Sequence, residues 1–212
     1  VGSQALAANS TGANNVAVGQ LALNDNTTAS NNIAVGYNSL AVNTTGDNNV
    51  SVGSYAMDAN TTGTQNVGIG VHALGGNTTG AYNVAVGENS LKANTTANDN
   101  TAIGYNAMTA NTTGAGNTAV GIYALDANTT GTGNTAVGKF SLSANTTAAS
   151  NVAVGMSSLL VNTTGTGNTA VGFNAMDANT TAHNNTGLGY NALTANTTGA
   201  DNTAVGSQAM AA

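Results

Sequence analysis

The chain has 212 residues but no Trp, two Phe and six Tyr, so its 41% of hydrophobic residues is largely Ala and Val. Charged residues make up 5%, against roughly 25% in ordinary globular domains. Lys92 and Lys139 are the only cations in a net charge of −6, which excludes a nucleic-acid partner, because a phosphate-backbone binder needs clustered Lys and Arg.

Low charge with few large apolar groups ordinarily means disorder, but a disordered linker has no reason to keep a period. Here Gly2, Gly19, Gly36, Gly53, Gly70, Gly87, Gly104, Gly121, Gly138, Gly155, Gly172, Gly189 and Gly206 are seventeen residues apart at every step. A unit of that length is too short for a helical hairpin repeat and suits one coil of a β-solenoid. Taken in chain order, each coil opens on a stretch such as "NVAVG" (83–87), whose alternation predicts a short strand with one face inward. The glycine that follows predicts a corner with positive φ or close backbone approach. After two corner residues, "ALDAN" (124–128) reads as a second short extended segment. Helix is the competitor there, but four or five residues cannot sustain one. The "NTTGxx" stretch then reads as the return loop. In mid-strand, the small residue two before each glycine (Ala17, Ser51, Gly68, Ala170, Gly187) predicts a close packing contact. It also predicts room for a lateral copy of the chain.

Two asparagine series share the period. One comprises Asn15, Asn32, Asn49, Asn66, Asn83, Asn100, Asn117, Asn134, Asn151, Asn168, Asn185 and Asn202. The other comprises Asn26, Asn43, Asn60, Asn77, Asn94, Asn111, Asn128, Asn145, Asn162, Asn179 and Asn196. Identical amides stacked coil upon coil predict hydrogen-bonded ladders. Aromatic residues gather at the two corner positions: Tyr37, Tyr55, Tyr105, Tyr123, Phe140, Phe173 and Tyr190. They mark either a recognition edge or interchain packing.

No catalytic constellation is visible, and the chain reads as non-enzymatic, without metal or cofactor. His72 and His183 occupy different repeat positions, and Asp58, Asp126 and Asp177 share one position but not in adjacent coils. "GTGNT" (131–135) lacks the repeated Asp of calcium-binding solenoids. Every N-T-T is formally an N-glycosylation sequon, for which ladder and strand roles are the competing explanation. An ice-binding threonine array is the alternative function. Such a face needs threonines that point the same way, whereas Thr129 and Thr130 are adjacent and so face opposite sides of an extended chain. No apolar run approaches the about 18 residues of a spanning helix, so no membrane insertion is expected in this segment. No signal peptide is seen.

"NVAVG", "NIAVG" and "NTAVG" followed by "xxAL" resemble the head repeats of YadA-like trimeric autotransporter adhesins, and similar repeats occur in phage tail-fibre-type proteins. The resemblance spans essentially the whole chain. It implies an all-β, left-handed parallel β-roll with three chains side by side, displayed on a cell surface appendage or a virion fibre. It would also place Val120, Val137, Val154 and Val171 in the roll interior and Gly121, Gly138, Gly155 and Gly172 at corners. Family repeats are commonly a little shorter, and no neck, stalk or anchor barrel is seen here. Expected from the sequence is thus a single repeat domain over 1–212, about twelve and a half coils without caps, as part of a longer fibre. Its expected function is a stiff spacer or adhesive head, with two identical chains and a cell-surface or environmental ligand as partners.

Overall fold

A computed structural model describes residues 1–211 and contains parallel β-solenoid coils throughout. Two compact units divide the chain, one over Val1–Tyr105 and one from Asn106 onward. In the first, the strands are β1 (Val16–Val18), β2 (Ile33–Val35), β3 (Val50–Val52), β4 (Val67–Ile69), β5 (Val84–Val86) and β6 (Thr101–Ile103). In the second they are β7 (Thr118–Val120), β8 (Thr135–Val137), β9 (Val152–Val154), β10 (Thr169–Val171), β11 (Thr186–Leu188) and β12 (Thr203–Val205). Within each unit consecutive strands pair parallel and in register, Val50 against Val67 or Thr118 against Thr135 for example. The constant period keeps equal positions adjacent.

What fills the coil is unexpected. The middle residue of each strand points inward and its two β-branched or aliphatic neighbours point out, giving the pattern half-buried, buried, half-buried in β3, β5, β7, β8 and β9. Val120, Val137 and Val154 are accordingly half-buried and Val171 is exposed, so the valines do not line the interior. The inward space belongs to the Leu or Met four residues after each corner glycine, such as Leu40, Met57 and Leu125, all with no exposed surface. That side chain crosses the coil to the strand. A Cβ built on Gly68 would lie 2.8 Å from Cγ of Met57, and one on Gly187 the same distance from Met176. The small residue is therefore small because the Leu or Met of the preceding coil abuts it, not because a second chain needs room. Close packing leaves no tolerance for added methylenes there.

The second segment is not a strand. Residues such as Tyr123 (φ 55°) and Leu125 (φ 53°) take the left-handed conformation, which costs about 1–2 kcal/mol per non-glycine residue. The cost is met by backbone bonding. Leu125 N–H donates to Ser141 O at 3.0 Å and Ala127 N–H to Ser143 O at 3.2 Å, so alternate amides still reach the next coil. Short-range alternation of Ala and Leu cannot reveal this, because the turn uses the same inward spacing as a strand.

At the corners, Gly53 (φ 138°) has no alternative residue. Its N–H donates to Val35 O at 2.8 Å, and an added Cβ would meet Gly70 O at 2.5 Å. Both the backbone conformation and the coil-to-coil approach demand glycine.

Candidate functional site

Interior polar groups come first, because they decide which surfaces remain free. In the Asn26 series the amides ahead of Asn196 do two things, and the ladder stops at Asn179, whose Oδ1 has no partner. Asn60 Nδ2 donates to Asn43 Oδ1 at 2.9 Å and to Gly63 O at 3.0 Å within its own loop. Asn128 repeats this with Asn111 Oδ1 at 2.8 Å and Gly131 O at 3.1 Å. The Asn15 series behaves differently: Asn49 Oδ1 accepts from both the backbone N–H and the Nδ2 of Asn66, at 3.0 and 3.3 Å. Asn49 Nδ2 then donates to Gly63 O in the return loop of its own coil at 2.9 Å. The two series thus converge on one inward-turned loop carbonyl per coil. Asn26, Asn60, Asn128, Asn49 and Asn134 have no exposed surface, and buried amides of this kind persist only when bonded. They are scaffold, with nothing left for a ligand.

The return loop divides its two threonines. The first donates its hydroxyl to the next coil's carbonyl, Thr44 to Thr61 O at 3.1 Å and Thr129 to Thr146 O at 3.0 Å. Its neighbour, Thr45 or Thr130, is exposed. One column of outward hydroxyls remains on that edge.

Ring contacts run along the corner. Tyr37 meets Tyr55 edge-on at 5.2 Å, and Tyr55 stacks on His72 at 5.1 Å. In the second unit Tyr123 stacks on Phe140 and Phe173 on Tyr190, both at 5.5 Å, and Lys139 Nζ lies 4.9 Å from the Phe140 ring centre. Consecutive coils therefore cover one another's ring faces. A hydrogen bond with Tyr37 holds the half-buried Tyr55 phenol above its usual range. Tyr105 stands exposed at the corner after β6.

Three carboxyl groups sit half-buried beside this corner. Burial raises Asp58, Asp126 and Asp177 above the ordinary aspartate range. A bond to Ser143 opposes the shift at Asp126, while His72 and Lys92 oppose it at Asp58. Among the described residues no three His, Asp or Glu side chains come together.

What stays unsatisfied is the outer strand face. Its column before the corner glycine reads Val18, Val35, Val52, Ile69, Val86, Ile103 in the first unit and Val120, Val137, Val154, Val171, Leu188, Val205 in the second. Two residues earlier runs a parallel column, Val16, Ile33, Val50, Val67, Val84, Thr101, continued in the second unit by Thr118, Thr135, Val152, Thr169, Thr186, Thr203. Neither column contains a charge. Ile33, Ile69 and Ile103 each leave about two-fifths of their surface in water (40%, 39% and 40%). The signal was present in the sequence: an Ala, Gly or Ser between two branched residues means that the small one is inside. No family model, no curated protein and no solved structure matches this chain.

Proposed function

We propose that the chain is a non-enzymatic structural repeat which packs side by side with copies of itself through the outer strand face, as a stiff segment of an extracellular fibre or adhesin. The observation that supports this is the charge-free outer face of a regular in-register sheet, with one column aliphatic throughout and a second that is largely aliphatic in the first unit and largely threonine in the second. Exposed apolar patches of this regularity mark association surfaces, and burying each valine would contribute up to about 1.5–3 kcal/mol. The likeness of "NVAVG" and "NTAVG" to YadA-like head and phage tail-fibre repeats supports three chains per assembly, on a cell surface or a virion. The absence of clustered cations and the dispersed histidines support a role without catalysis.

The ice-binding alternative finds less support on the N-T-T edge, where one of each threonine pair spends its hydroxyl on the neighbouring coil. A single exposed column is a poor match to a two-dimensional lattice.

The chain contains no cysteine, so single-site cross-linking tests the proposal. Val120→Cys should form covalent dimers under mild oxidation, because copies meet on that face. Thr130→Cys, on the return loop, should stay monomeric on a denaturing gel. Equal cross-linking of the two, or none at Val120→Cys, would contradict the proposal.

A further inference from the structure

Three N-x-Ser/Thr triplets lie outside the N-T-T series, at 9–11, 49–51 and 184–186. The coil geometry presents their amides differently; Asn9 and, in the last N-T-T, Asn196 are half-buried with Nδ2 held by Gly12 O and Gly199 O. Glycosyl transfer to asparagine needs the carboxamide and the hydroxyl two residues on to be presented together at a surface. In the N-T-T triplets from Asn26 to Asn179 they are on opposite sides: Asn60 and Asn128, for example, are wholly buried in the amide ladder, while Thr62 and Thr130 face water. Asn49 is buried in the same way, its Nδ2 held by Gly63 O.

Asn184 is the opposite case. It is exposed, with a left-handed φ of 56°, and it precedes the fully buried Asn185. Strand alternation then turns Thr186, the first residue of β11, outward beside it. Its Nδ2 makes one surface bond, to Asp201 Oδ1 at 3.2 Å. The preceding coil has Gly167 at the equivalent position, so no side chain overhangs the amide from that side.

We propose that Asn184 is an N-glycosylation site of the folded chain, taking a sugar from a soluble nucleoside-diphosphate donor. The Asn184 Nδ2 forms a bond to the sugar's C1 as the bond from C1 to the diphosphate oxygen breaks. The electron pair leaves with the nucleoside diphosphate, and the amide loses one proton to the medium. Asp201 accepts a hydrogen bond from the attacking amide. Transfer to the folded chain fits better than transfer before folding, because modification before folding would also reach the N-T-T asparagines. A sugar there would exclude those residues from the ladder, and the coils could not close.

The test incubates the folded full-length chain with a soluble N-glycosyltransferase and uridine diphosphate glucose, and maps added hexose by peptide mass spectrometry. Hexose should be found at Asn184, an order of magnitude above any at Asn60, Asn77 or Asn128. Thr186→Val should abolish it with an unchanged melting temperature, since Val152 occupies the same strand position in β9. Absence of hexose at Asn184 would overturn the proposal, as would equal labelling of the buried asparagines or labelling that survives Thr186→Val.

Discussion

The two units share an interior and differ on their outsides. Inward positions carry the same residue types in both: Leu or Met, Ala, Gly or Ser, and the two asparagines. Outward, the first strand column is Val or Ile at five of six positions in the first unit and Thr at five of six in the second. The left-handed position before each buried Asn15-series residue differs as well. It is never glycine in the first unit (Asn14, Asn31, Asn48, Gln65, Tyr82, Asp99), but is glycine at three of six places in the second (Gly116, Gly133 and Gly167, beside Ser150, Asn184 and Asp201). Threonine has nearly the shape of valine, so the sheet accepts either, but its hydroxyl makes the face less apolar. The interior is fixed by distances between coils, whereas the exterior answers only to what it meets.

If the interiors are equivalent, the largest effects should be equal in both units. Ala85→Leu and Ala170→Leu each push a side chain into the Leu or Met that crosses the coil, and should each destabilise by about 3 kcal/mol. Denaturant melts of both variants check this, and a harmless substitution at either site would break the equivalence. Next come the ladders. Asn60→Ala and Asn128→Ala remove a doubly bonded buried amide and orphan its partners, at about 2–3 kcal/mol each by the same melts.

Smaller effects should separate the units. Tyr82 holds φ 60° where Gly133 holds φ 64°. Relief of the left-handed strain by Tyr82→Gly should exceed the added chain entropy and stabilise by about 0.5–1 kcal/mol, and Gly133→Ala should destabilise by a similar amount. Thermal melts would show opposite shifts. The smallest effect concerns pH. Asp126 is raised by burial and opposed by a bond to Ser143, whereas Asp58 is also opposed by His72 and Lys92. A carboxyl group with a raised folded value contributes stability below its unfolded value and loses it as pH rises through the folded one. Asp126→Asn should therefore stabilise at neutral pH and change little in acid, and Asp58→Asn should gain less. Melting across the pH range from below the ordinary aspartate range to neutrality would show it.

Much of this was legible in the sequence. The solenoid followed from the glycine interval alone, because a period without a slip admits only stacked coils. The facing of the strand was harder. Alternation in "NTAVG" has two phases, and the larger residues suggest the wrong one; only the restriction to Ala, Gly or Ser at Ala119 or Gly68 distinguishes them. The turn around Leu125 was not legible, since a bulky residue at positive φ contradicts local preference and is sustained by coil-to-coil bonds. Nor did the N-T-T repetition reveal the sequon at Asn184, which became distinct only once its neighbours were seen to be buried.

The aliphatic strand face is the centre of the account, and the mass of the chain in solution tests it most directly. Sedimentation equilibrium should give a self-associating species, with a limiting mass three times 20.5 kDa. A mass of 20.5 kDa at every concentration would contradict it.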